Sequence, residues 1–184
     1  MDIKLFDNRI LAPAKCGTRH LRKIFKDKRF DVNSDNLKQI THIVIRNPYE
    51  HFESAIHTEY VNFKNTHNSI QNIEHILRGT INENGIGHWN PKTYRFLYSI
   101  FIQNPSIQII ELSDLSNFLV SEGYSIPHNK SEYDWSEFGF NISKEFVLLE
   151  FKNKFKQEFE MVNKKLEIEM IYYTKLLNMS IEIQ

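Results

Sequence analysis

Short apolar runs alternate along this chain with longer stretches in which apolar residues recur every third or fourth position, the signatures of buried strands and of amphipathic helices. Residues 9–12 (RILA) and 42–45 (HIVI) read as strands, and a third core strand is expected at 107–110. A weaker run at 30–32 gives a further short strand. Helical spacing follows each strong run. It covers 18–25 after the first and 48 to about 62 after the second, where Tyr49, Phe52, Ile56 and Tyr60 form one stripe. After the third comes a short helix with Leu115, Phe118 and Leu119, capped by Ser113. Strands alternating with helices imply parallel pairing, so the expected class is α/β, three layers with a short central parallel sheet flanked by helices.

The remaining segments have weaker signatures. Residues 70–77 read as a helix, and Asn90 with Pro91 makes a cap and first-turn pair for a helix carrying Tyr94, Leu97 and Phe101. Two glycines in 82–87 make a loop that delivers His88. From 122 to 140 the chain is polar and aromatic without period, as expected of an ordered loop that closes over a site. Ser143 then opens a long helix with Leu148, Phe151, Phe155, Phe159, Val162 and Leu166 on its apolar face. Beyond Leu166 the pattern fits helix or strand. With 184 residues and no linker, one domain is expected over 1–184: a ligand-binding core at about 9–120, then a lid loop and terminal helix at about 122–184.

Charge narrows the partners. Basic and acidic residues balance at 23 each, so there is no overall basic field for nucleic acid or membrane, and any anion site must be local. Cys16 is the single cysteine, which excludes an internal disulfide, and nothing suggests a cysteine-ligated zinc; the expected compartment is a reducing cytoplasm. No run reaches the ~20 apolar residues of a membrane span. Abundant Asn, Ile, Lys and Phe point to an AT-rich genome, bacterial or viral.

The local site is visible at 9–25. A short strand ends in Pro13-Ala14-Lys15-Cys16-Gly17-Thr18-Arg19 and opens a basic helix. At such a turn backbone N–H groups converge, the helix dipole is positive, and Lys15 adds a full charge, so a phosphate- or sulfate-like anion is expected there. The lysine precedes the glycine, unlike the phosphate loop G-x-x-x-x-G-K-[ST]. The second strand also ends on a cation, Arg46, before Asn47 caps the next helix with Pro48 at its first position. On that helix Glu50, Ser54 and His57 share the face away from the apolar stripe. Ligands of open parallel sheets gather at the carboxyl ends of strands, where Lys15 and Arg46 both fall.

This order resembles the 5′-phosphosulfate loop of sulfotransferases that use 3′-phosphoadenosine 5′-phosphosulfate (PAPS), usually Pro-Lys-x-Gly-Thr-Thr. Here Ala14 is inserted and Arg19 stands in the place of the second threonine. RNPYEHFES, from Arg46 to Ser54, resembles that family's strand-end arginine and the serine eight residues later, which grip the cofactor's 3′-phosphate. GHWNPKTYRFLYSIF, with the strand and helix after it, resembles the His-Trp segment of the carbohydrate enzymes. HNKS at 128–131 and FKNKFKQEFEMV extend the likeness over most of residues 9–162. The resemblance implies a P-loop-like fold that transfers a sulfuryl group from PAPS to a hydroxyl, on a small molecule or glycan. It assigns Lys15 to the bridging oxygen and sulfonate, Gly17 and Thr18 to the 5′-phosphate with Cys16 in the same turn, and Arg46 and Ser54 to the 3′-phosphate. Arg19 would reach the 5′ anion bidentately. That mechanism needs no metal.

A general base should take the acceptor's proton. His88 matches the His-Trp segment and is the first candidate; His20, Glu50 and His57 follow, and the remaining histidines are expected in solvent. Lys130 could add charge, and Trp89, Tyr124, Tyr133 and Trp135 are candidates to stack on adenine or sugar. Two other readings fit the same cradle: a small nucleotide or metabolite kinase, and a catalytically silent cofactor-binding module.

Overall fold

The structure, a computed structural model, describes residues 3–26, 28–33, 35–63, 69–84, 89–126 and 143–181. Five strands and seven α-helices are found among them: β1 (Ile3–Phe6), β2 (Ile10–Pro13), α1 (Thr18–Phe25), β3 (Arg29–Asp31), β4 (His42–Ile45), α2 (Pro48–Phe63), α3 (Ser69–Ile81), α4 (Thr93–Gln103), β5 (Gln108–Glu111), α5 (Leu115–Ser121), α6 (Lys144–Lys154) and α7 (Lys156–Ile181). No helix among the described residues is long and apolar enough to cross a membrane.

The sheet has the order β3-β1-β2-β4-β5. β2, β4 and β5 are parallel, with Ile10 opposite His42 and Ile43 opposite Ile109. β1 runs against both β2 and β3. The expected all-parallel sheet is therefore corrected to a mixed one. The cause is a tight hairpin at the start of the chain: Asp7 and Asn8 both take positive φ (49° and 57°), and the Arg9 N–H donates to the Phe6 carbonyl at 3.1 Å. Positive φ at both central residues gives the turn whose twist matches antiparallel strands.

Strand alternation sorts the core into two layers. Leu5, Leu11, Ile43 and Ile45 face α2, α3, α4, α6 and α7, while Phe6, Ile10, Ala12, Val44 and Ile110 face α1 and α5. Three layers result, as expected. The chain leaves β2 through α1 on one face, toward β3, and leaves β4 through α2 on the other face, toward β5. The carboxyl ends of β2 and β4 thus form a point where successive connections diverge, the place where open α/β sheets leave a crevice.

The terminal helix breaks at Phe155 (φ −122°), dividing it into α6 and α7, and α7 stays helical through Ile181. Its inward face, Phe159, Val162, Leu166, Glu169, Tyr173 and Leu176, is buried against the larger layer.

Candidate functional site

The β2–α1 turn is built from backbone. The Cys16 N–H donates to the Pro13 carbonyl at 3.1 Å, closing a four-residue turn with Lys15 at φ 62°. Gly17 caps α1 at φ 76°, and its carbonyl accepts the Leu21 N–H at 3.0 Å. A Cβ on Gly17 would overlap the Leu115 side chain and press on Leu112 at 3.1 Å, so the positive φ and the packing both favour glycine here. Among the described residues no side-chain cap bond is made at Gly17, no acid stands in the first turn of α1, and Arg19 adds charge there. The positive end of the helix lies where β2 ends.

The β4–α2 turn has the expected cap. Asn47 Oδ1 accepts the Tyr49 N–H at 3.0 Å, and the Asn47 carbonyl accepts the His51 N–H at 2.9 Å. Phe52 and Ile56 are buried, Ser54 and His57 are half-buried, and Glu50 is exposed, matching the two faces read from the sequence. Arg46 Nη1 donates to the Lys15 carbonyl at 3.4 Å, and Arg46 Nε donates to Glu50 Oε2 at 3.3 Å. Residues 15 and 46, thirty-one apart in sequence, therefore meet at one end of the sheet.

Beneath them lies a buried polar cluster that sequence reasoning missed. The Tyr94 hydroxyl donates to the Arg46 carbonyl. Having given its proton away, that oxygen is left to accept from His51 Nδ1, 3.1 Å distant. His51, expected in solvent, is 1 % exposed; it sits on the inward side of α2 beside Trp89, whose ring lies 5.0 Å away. Tyr94 is in turn fixed by Glu169, which is fully buried and accepts the Tyr94 N–H at 2.7 Å and Arg95 Nε at 3.0 Å. Burial raises the Glu169 carboxyl above its usual range, against the pull of those donors. The Cys16 thiol completes the cluster. Burial pushes it up to about 12, opposed by the Arg46 charge and a hydrogen bond with Tyr94.

Other expectations fare differently. Tyr124 accepts from Arg9 Nη2 at 2.7 Å and packs edge-on against Phe25, so it stands at the amino ends of the parallel strands, opposite Lys15 and Arg46. His42, also expected in solvent, is mostly buried at that same end, between Thr41, Gln108 and Phe118. Trp89, a candidate to stack on a ligand, is 2 % exposed and packs edge-on against His51 and Phe52 in the core. His20 has its Nε2 buried without a hydrogen-bond partner, and burial with the nearby Lys23 charge lowers its pKa. His88, Lys130, Tyr133 and Trp135 lie outside the described residues.

No protein-family model, no curated protein and no solved structure matches this chain.

Proposed function

We propose that the chain is a sulfotransferase of P-loop-like fold that binds PAPS across the carboxyl ends of β2 and β4 and passes its sulfuryl group to a hydroxyl, on a small molecule or glycan. One observation carries the reading: Lys15 and Arg46 follow neighbouring parallel strands at the point where the connections diverge, and the Arg46 guanidinium reaches the Lys15 carbonyl at 3.4 Å. A ligand with an anionic group at each end could touch both positions.

In this reading Lys15, Gly17, Thr18 and Arg19, at the positive end of α1, hold the 5′-phosphosulfate, with Cys16 as the buried pivot of their turn. Arg46 and Ser54 hold the 3′-phosphate. Sulfuryl transfer puts growing negative charge on the oxygen bridging to the 5′-phosphate, so the Lys15 ammonium and helix N–H groups there would lower the barrier by electrostatic stabilisation. The acceptor's proton goes to a base, His88 being the first candidate; His88→Gln should leave cofactor affinity intact and abolish turnover. Glu50 is less suited to that role, since it is engaged by Arg46.

Calorimetric titration tests the reading. 3′-Phosphoadenosine 5′-phosphate should bind in marked preference to ATP, and both Lys15→Ala and Arg46→Ala should weaken it at least tenfold, about the worth of one charge-assisted contact. Equal binding of ATP would favour a kinase instead.

A further inference from the structure

The carboxylate beside Arg46 has an asymmetric setting. The Arg46 side chain is 21 % exposed and tethered through Nη1 to the Lys15 carbonyl, while the Glu50 side chain that accepts from its Nε is 60 % exposed. Glu50 can swing into water with little loss; Arg46 stays in place. The fold does not need Glu50 as a helix cap, because Asn47 Oδ1 already takes the Tyr49 N–H at 3.0 Å and approaches the Glu50 N–H at 3.5 Å. Its negative charge lies in the first turn of α2, the same positive helix end that any phosphate on Arg46 would meet.

We propose that Glu50 is an internal counter-anion for Arg46. It occupies the guanidinium in the ligand-free chain, must be displaced by an incoming phosphate, and so sets the affinity of the site for the ligand's 3′ end. This rests on the reading that Arg46 receives a 3′-phosphate. A dianionic phosphate outcompetes the single charge of a carboxylate and can take two guanidinium N–H groups at once. A weaker anion does not. Glu50 thus raises the threshold for occupancy and favours a terminal phosphate over carboxylates and sulfate monoesters.

The experiment is calorimetry with 3′-phosphoadenosine 5′-phosphate and with 5′-AMP, which lacks the 3′-phosphate, on the wild-type chain, Glu50→Gln, Arg46→Ala and the double variant. Glu50→Gln should bind the bisphosphate about threefold to fivefold more tightly, the scale of an exposed ion pair released, with 5′-AMP affinity unchanged. The double variant should show no such gain over Arg46→Ala, because the effect runs through the pair. Unchanged or weaker bisphosphate binding by Glu50→Gln, in a chain whose wild type still prefers the bisphosphate to 5′-AMP, overturns the inference and leaves the reading of the site standing. A wild type that does not distinguish the two nucleotides, or that binds neither, removes both. Thermal melting of Glu50→Gln near the wild-type midpoint separates these outcomes from a folding defect.

Discussion

Lys15 holds a left-handed backbone (φ 62°) that a residue with a side chain adopts at a cost of about 1 kcal/mol, and Gly17, two residues on, takes the same left-handed region with its Cα packed against Leu115. The turn between them aims Cys16 inward. A cysteine at a helix N-terminus beside arginine is often an activated thiolate, because positive charge stabilises the anion. Here desolvation wins: the thiol is fully buried and lies near 12. Native protein at pH 8 should therefore resist a thiol reagent such as 5,5′-dithiobis(2-nitrobenzoate), with one thiol released per chain in urea. Rapid stoichiometric labelling of the folded chain would show that the turn opens readily or that Arg46 dominates. Whether Cys16 is inert was not legible in its neighbours along the chain, since Tyr94 and the α5 leucines that enclose its turn come from distant segments.

At the scale of elements, α1 and β4 begin and end where the local pattern places them, because an apolar run followed by Gly17-Thr18 or Asn47-Pro48 is punctuation written in adjacent residues. The start of α4 was not legible in that way. Asn90 Oδ1 takes the Lys92 N–H at 2.8 Å, making a turn of Asn90 and Pro91, and the helix begins at Thr93. Its first-turn N–H goes to Glu169, 75 residues further on. Ser113 likewise gives way to Asp114 as the residue before α5. A fully buried carboxylate from α7 that caps α4 while holding the half-buried Arg95 joins two helices. Glu169→Ala should lower unfolding free energy by about 2 kcal/mol, since it leaves the buried Tyr94 N–H without its acceptor and takes one of the partners of the Arg95 guanidinium, which keeps Glu83. Glu169→Gln keeps an acceptor oxygen and should lose less. Urea denaturation reads both, and a loss below about 1 kcal/mol for the alanine variant would mean that water replaces the carboxylate.

For the whole molecule, periodicity gave the α/β class and the three layers, but not the order of strands. Ile3–Phe6 reads as a strand only once Asp7-Asn8 is recognised as a hairpin turn, and without glycine that signal is faint. The meeting of residues 15 and 46 was legible because both end core strands; the Tyr94–His51–Glu169 cluster beneath them was not, because three separate helices supply it. The larger helical layer is tied by a further long-range contact. Glu83, at φ 57° just past the end of α3, accepts from Lys165 of α7 at 3.0 Å and lies 3.4 Å from Arg95 and 3.5 Å from Lys92 at the start of α4. The Lys165 hydrogen bond, aided by the Arg95 charge and opposed by desolvation, holds the Glu83 carboxyl down from the usual 4.5 to about 2. A depressed acid stabilises the fold only while ionised, so its contribution is complete above pH about 4.5 and drains away as pH falls toward 2. With partners this exposed, the contribution is about 1 kcal/mol. Wild type and Glu83→Gln should therefore differ most in their urea midpoints at neutral pH, and the two curves should converge between pH 4.5 and 2. A gap that stays constant with pH would mean that Glu83 joins the three helices by packing and hydrogen-bond geometry alone, not by charge.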